Sequence, residues 1–265
     1  MLIALKYLGK VGIGVTLPQF FRADDGKTYV VKMNYNKINS KVLANEFLAT
    51  KFAEFMDLRC FPPYDMIEIN EQLLQENKQL IELGVIAGHH FAYQFLDHTS
   101  YVSRHNLDKI VNTTEMAGVI LFDHILQNSD RNSNKKNLLL RPEDAGYRIY
   151  AIDNSHLFGS GRWTLDSLTN LSTKIKIFSR FTYGRFLRNY LSPQDFIPYL
   201  EKVKVLSNET IDTFVREIPT EWLPNTEERK VLANHLKTRR DLVDKIYEKL
   251  CNHIPKKHGG RQWWH

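Results

Sequence analysis

Cysteine is nearly absent from this chain. Cys60 and Cys251 alone occur in 265 residues, which leaves neither a disulfide framework nor a thiolate metal site and favours a reducing, cytoplasmic setting. No apolar run reaches membrane-spanning length. Lys6 and Lys10 interrupt the apolar opening from Met1 to Val15, so that segment is expected to be a strand and turn, not a signal peptide. The histidines lack ligand spacing: His89 and His90 are adjacent and so face opposite sides of a strand, while His98, His124 and His156 stand apart. A Walker-type phosphate loop is missing, and the glycines of Gly9-Lys10-Val11-Gly12-Ile13-Gly14 do not follow a GxGxxG spacing. There is no internal repeat and no low-complexity tract.

What is present is ample for folding. With 43% hydrophobic and 25% charged residues, the chain is long enough for one large domain or two packed lobes. A net charge of +6 favours an anionic partner, although dispersed Lys and Arg also serve only to solubilise.

Local patterning divides the chain. Gln19 to Arg22, the turn signal Asp24-Asp25-Gly26-Lys27 and Tyr29 to Met33 read as a β-hairpin. Ser40 opens a helix on which Leu43, Phe47, Leu48, Phe52, Phe55 and Met56 recur at helical spacing, and Pro62-Pro63 bars its continuation. Tyr64 to Ile69 and His90 to Leu96 read as strands around a polar segment of helix or loop. Asp97-His98-Thr99-Ser100 is the expected boundary between residues 1–97 and 98–265. Glu115 to Gln127 is apolar nearly all round, as in a helix buried within a lobe. Leu138 to Leu140 and Tyr147 to Ile152 form a short hairpin. From Asn170 onward the chain turns helical, ending in a helix capped by Asn225 and Glu228, with Leu232, Leu236, Val243, Ile246, Tyr247 and Leu250 on one face. The expectation is α+β and bilobal, with a strand-rich N-lobe and a mainly helical C-lobe.

Five polar residues sit where this patterning makes them conspicuous. Lys32 ends an apolar strand with Val31 and Met33 pointing away from it, and a carboxylate within reach, Glu46 on the next helix, would hold it by an ion pair. Asp130 follows the buried helix in Asn128-Ser129-Asp130-Arg131, positioned to orient and deprotonate an acceptor hydroxyl; an Asx-turn or helix cap uses the same residue types. Asn137 and Asp153 flank the short hairpin as two hard oxygen donors, the kind Mg²⁺ takes beside phosphate oxygens, with Asn134 competing for the role of Asn137. Such an ordered set suits phosphoryl transfer, which demands alignment and charge neutralisation more than covalent help. Cover for phosphates would come from Gly14 to Pro18, with Thr16 supplying a hydroxyl. Gln94, Phe95 and Leu96 close the first half and would offer backbone groups to adenine. The tail from Lys256 to His265 mixes basic and aromatic residues, a pattern compatible with nucleic acid, a membrane surface or simple fraying.

At these residues the chain resembles the HipA-like kinases, in the short branch without the extra amino-terminal domain. The resemblance rests on Gly14-Val15-Thr16-Leu17-Pro18, Asp25 to Lys32, Asn45-Glu46-Phe47-Leu48-Ala49, Asn128 to Leu139, Ile152-Asp153-Asn154-Ser155, Glu221-Trp222 and Arg239-Arg240. It implies a protein-kinase-like fold and an ATP- and Mg²⁺-dependent kinase, with Lys32 and Glu46 on the phosphates, Asp130 as base, and Asn137 and Asp153 on metal. The expected acceptor is a Ser or Thr hydroxyl on a protein, with an antitoxin-like or other regulatory protein as a further partner and no requirement for nucleic acid. The Asp-Arg pair and the Ile-Asp-Asn step are also similar to phosphatidylinositol kinases. A lipid or small-molecule kinase, using Arg162, Lys174 and Lys176 in its acceptor groove, is therefore a rival reading. A nucleotide-binding pseudokinase or adaptor is another. Two features depart from ordinary protein kinases: the gap from Asp130 to Asn137 is longer, and no His-Arg-Asp triplet occurs.

Overall fold

Alternation of apolar and polar residues in the first third of the chain produces strands, and a computed structural model describes residues 1–12, 16–35, 41–103 and 105–256. Gly14, Ser40 and the tail from Lys257 lie outside the described residues. Along the chain run β1 (Leu2–Lys10), β2 (Gln19–Ala23), β3 (Thr28–Lys32), α1 (Lys41–Phe55), β4 (Tyr64–Ile69), α2 (Glu71–Glu76), α3 (Lys78–Glu82), β5 (Gly88–Gln94) and β6 (Ser100–Tyr101). There follow α4 (Glu115–Ile125), α5 (Asp130–Ser133), β7 (Leu138–Glu143), β8 (Gly146–Ala151), α6 (Leu165–Leu171), α7 (Phe181–Asn189), α8 (Ile197–Lys204), α9 (Asn208–Arg216), α10 (Thr226–Asp241) and α11 (Val243–Cys251).

Among the described residues the first five strands close into a barrel in the order β1-β2-β3-β5-β4, and β6, β7 and β8 form a separate small sheet. Phe21, Tyr29, Val31, Ile67, Ile69 and Ala92 fill the barrel. Because side chains alternate across a strand, Val31 turns inward while Val30 and Lys32 turn to the outer side, where a cleft lies. Phe91 and Tyr93 of β5 likewise face away from the barrel interior, into the larger core that joins α1 to the helical half.

The helix α1 is buried on nearly every side, including the polar Asn45, Glu46 and Thr50. Each has partners, as buried polar groups require. Asn45 donates to the carbonyls of Ser155 (3.0 Å) and Gly161 (3.3 Å) and accepts from the Trp163 indole (2.9 Å). This fastens α1 to the chain just beyond Asp153. Gly161 makes the approach possible: its φ is +69°, and a Cβ there would lie 2.2 Å from the Ser155 carbonyl oxygen. Trp222, fully buried, packs edge-on against Phe47 and donates to the His89 carbonyl (3.3 Å). Burying one such ring is worth about 1.5–3 kcal/mol.

Several boundaries differ from the sequence reading. The strand β5 begins at Gly88 because Gly88 pairs with Ile69, and it stops at Gln94, leaving Phe95 and Leu96 beyond its end. The polar segment between β4 and β5 holds two short helices, the first capped by Asn70. Asp130 starts a single helical turn and does not lie in an open loop. Helix formation after the hairpin begins at Leu165, before Asn170. The last helix is really two, α10 and α11, joined at Leu242. Its Asn225 cap stands as expected, accepting from the Glu227 and Glu228 amides. No helix among the described residues is long and apolar enough to cross a membrane.

Candidate active site

A cavity of about 330 Å³ opens beside the outer faces of β3 and β5 and the start of the β7–β8 hairpin. Thr16, Lys32, Gln94, Phe95, Leu96, Asn137 and Asp153 all line it. Glu46 lies behind Lys32, and Asp130 stands beside Asn137.

Lys32 is 5% exposed, so its ammonium needs compensation. It has two carboxylates: an ion pair with Glu46, and one with Asp153 at 2.7 Å. Burial alone would discharge the amine, but Asp153 and Glu46 outweigh it and hold Lys32 above its ordinary value, charged. Glu46 is in turn saturated. Its Oε1 accepts from the Asn154 amide (2.9 Å), and its Oε2 accepts from the Tyr93 hydroxyl and from Asn154 Nδ2 (3.4 Å). Burial and the neighbouring Glu46 keep the Tyr93 phenol well above its usual value, hence a donor.

Asp153 follows β8 in a left-handed conformation, φ +62°, which an aspartate tolerates better than most side chains. Its Oδ1 accepts from Lys32, from Ser155 Oγ (2.7 Å) and from the Ser155 amide (3.2 Å). Burial pushes this carboxyl up, but Lys32 and Ser155 prevail and hold it well below the usual carboxylate range. Its side chain remains 29% exposed, and Oδ2 makes no hydrogen bond among the described residues. One cation facing two carboxylates leaves a net negative charge at the edge of the cavity.

The hairpin register sets Asn137 next to this group. Leu138 pairs with Ala151, and the Ile152 amide donates to the Asn137 carbonyl at 3.0 Å. The Asn137 side chain donates to Asp130 Oδ2 (2.7 Å), which turns its Oδ1 away, where it accepts from Asn134 Nδ2 (3.1 Å). Asp130 Oδ1 has no partner among the described residues. Asn134, the alternative to Asn137, also lines the cavity and caps the turn that follows, accepting from the Lys136 amide (3.2 Å). Gln94 and Phe95 spend their amides on the carbonyls of Pro63 (2.8 Å) and Thr28 (2.9 Å), whereas the Leu96 amide makes no hydrogen bond among the described residues.

A second buried network lies behind the first, and sequence reasoning did not find it. Arg131 pairs with Asp123 of α4, Tyr183 of α7 donates to the same carboxylate, and Arg131 Nη2 donates to Asn154 Oδ1 (2.6 Å) and to the Ile152 carbonyl (3.2 Å). Arg131 and Asp123 are both fully buried. Burial opposes the guanidinium charge, but Asp123 outweighs it and raises Arg131 further above its usual value. Asn154 joins the networks, since its Nδ2 also donates to the Tyr93 hydroxyl (3.0 Å). One signal was available: an Asp inside a helix otherwise apolar all round demands a buried partner.

The chain belongs to the HipA-like kinase family, whose model matches residues 5–253; it is a kinase. Solved structures of similar fold include CtkA, a proinflammatory kinase of Helicobacter pylori, at 12% identity over 95% of this chain and 97% of that one, TM-score 0.57. Hydra Fam20, solved with sugar, is similar at 13% identity over 97% and 88% of the two chains, TM-score 0.52. The Golgi casein kinase is similar at 11% identity over 95% and 71%, TM-score 0.50. At these identities the likeness is one of fold, a mixed α/β kinase architecture. No curated protein matches the chain.

Proposed function

We propose that this kinase transfers the γ-phosphoryl group of ATP to a Ser or Thr hydroxyl of a protein. The observation that carries the reading is the convergence of Lys32, Asn137 and Asp153 on one cavity, with Glu46 fixing Lys32 and Asn137 fixing Asp130. Residues 1–97 act as the lobe that holds the nucleotide and 98–265 as the lobe that holds the catalytic groups. Lys32 binds phosphate oxygens as a charge pre-positioned by Glu46. The Leu96 amide, free where its two predecessors are engaged, is the group best suited to meet adenine, and Thr16 contributes a hydroxyl on the phosphate side.

The donors at the hairpin fit a divalent cation. Asn137 Oδ1 and Asp153 Oδ2 are hard oxygens at the cavity wall, beside a cluster with one uncompensated negative charge, and Mg²⁺ needs no more than one or two protein oxygens when phosphates supply others. When bound, the ion neutralises phosphate charge. Asp130, oriented by Asn137, accepts the proton of the acceptor hydroxyl through its unpartnered Oδ1. The two free cysteines suit a reducing compartment such as the cytoplasm.

The test is transfer of radiolabelled phosphate from ATP by wild type, Asp130→Ala and Asp153→Ala. The reading requires product from wild type and loss in both variants; equal rates in all three would end it.

A further inference from the structure

The segment Lys174–Ser179 has no helix and is paired to no strand, and from Lys174 to Ile177 its side chains alternate between exposed and partly buried, as in a strand. Ile175 and Ile177 pack partly buried against the main core, while Lys174 and Lys176 are exposed between them. The segment is anchored to the chain that carries Asp130. Gln127 Nε2 donates to the carbonyls of Leu171 (2.9 Å) and Lys174 (3.2 Å), His124 Nε2 accepts from the Phe178 amide (2.8 Å), and Asn132 Oδ1 accepts from the Tyr183 amide (3.3 Å). Between these anchors the backbone amides and carbonyls of Ile175, Lys176 and Ile177 make no hydrogen bond among the described residues. An anchored segment with alternating side chains and free backbone polar groups is a template for one more strand.

Charge selects what that strand would be. Between Ser155 and Tyr190 stand Arg162, Lys174, Lys176, Arg180, Arg185 and Arg188 against one acid, Asp166. None of the six makes an ion pair among the described residues. Ion pairs do form elsewhere on the helical half, as in Lys204–Asp244 (2.9 Å) and Lys237–Asp212 (2.6 Å). Six cations against one acid leave an excess of positive charge on the segment attached to Asp130, which attracts and orients an anionic partner.

Resting on the kinase reading above and deepening it, we infer that the protein acceptor is an acidic segment that docks as an added strand along Ile175–Ile177. Its Asp or Glu residues recur at every second position, opposite Lys174 and Lys176. An anionic lipid or an RNA would meet the same charge but has no strand backbone to pair with these free amides and carbonyls. Extended peptide satisfies both.

The test is binding of fluorescein-labelled, Ser-centred peptides to the full chain, followed by anisotropy, with Glu at alternate positions, the same Glu residues clustered, or Gln throughout. The alternating-Glu peptide should bind about tenfold more tightly than the Gln peptide, with the clustered peptide between them. Lys174→Glu combined with Lys176→Glu should abolish the difference, and Lys174→Arg with Lys176→Arg should keep it. Rising salt should weaken the wild-type preference, a readout that needs no variant to fold. Equal binding of the Glu and Gln peptides would overturn the inference. So would capture of anionic phospholipid vesicles or RNA through these lysines with no preference for the peptide. ATP binding by calorimetry on the same proteins separates the two readings: peptide preference without nucleotide binding sinks the kinase reading alone.

Discussion

Lys32 and Arg131 are both buried cations, each paired with a helix carboxylate whose other oxygen takes a tyrosine hydroxyl: Glu46 with Tyr93, Asp123 with Tyr183. Asn154 touches both sets. They differ in what lies on the far side. Arg131 meets backbone carbonyls, the Asn154 side chain and the face of Phe61, 5.5 Å away, so its network is neutral and closed. Lys32 meets a second, partly exposed carboxylate at a cavity wall, so its network carries an excess negative charge and an opening. The same chemical unit fixes structure where it is sealed and, on the function proposed above, prepares for a charged ligand where it is not. A sealed pair is expensive to break and contributes no chemistry of its own; an open one is expected to tolerate loss better and to matter more for turnover.

The largest expected effect sharpens this division. Asp130→Ala should lower kcat by about 10²- to 10⁴-fold with little change in urea unfolding, because Asp130 is half-exposed and its side chain holds only Asn137. An unchanged kcat would remove it from the chemistry. Next, Arg131→Met should cost about 3–5 kcal/mol in urea denaturation, since it strands a buried Asp123. Lys32→Met should cost less stability, because Glu46 keeps Tyr93 and the Asn154 amide, while abolishing transfer. A larger stability loss at Lys32 than at Arg131 would break the comparison.

A third expectation concerns acid. Burial pushes His90, His124 and His235 down to about 4. The unfolded chain, with ordinary histidines, therefore binds up to three more protons between about pH 4 and 6.5, so unfolding free energy falls as pH drops through that window. With all three contributing, the loss should be about 5 kcal/mol between pH 6.5 and 5, measured by urea titration, and removing either cation network should leave this slope unchanged. For His124 the geometry gives the reason: Nδ1 faces the Ile120 carbonyl (2.6 Å) and Nε2 accepts from the Phe178 amide, so a second proton has no place. The smallest expected effect is at the tyrosines. Tyr183→Phe and Tyr93→Phe should each cost about 1–3 kcal/mol, with activity reduced more by Tyr93→Phe.

How far the sequence carried this picture follows the same division. Lys32 was legible because strand alternation turns it opposite to Val31, and Asn137 and Asp153 because a short hairpin brings its ends together. Glu46 was legible as the acid on the next helix. The sealed network was not: Arg131 stood out only as half of the Asp-Arg pair, Asp123 and Tyr183 not at all, and their meeting depends on how α4, α5 and α7 pack. The turn at Leu242 was invisible for a similar reason. No glycine or proline marks it, and Arg239, reaching the carbonyls of His124 (2.8 Å), Ile125 (3.1 Å) and Lys174 (2.7 Å), shows α10 held by tertiary contacts. Likewise the two ends of β5 are set by its ladders with β4 at Gly88 and with β3 at Gln94, registers that local pattern does not encode.

The most direct test is a crystal structure with a non-hydrolysable ATP analogue and Mg²⁺. The account requires the triphosphate within hydrogen-bond distance of Lys32 Nζ and the ion bonded to Asn137 Oδ1 and the Asp153 carboxylate. A nucleotide bound elsewhere, or in this cavity with Lys32 and Asp153 out of reach of its phosphates, would contradict it.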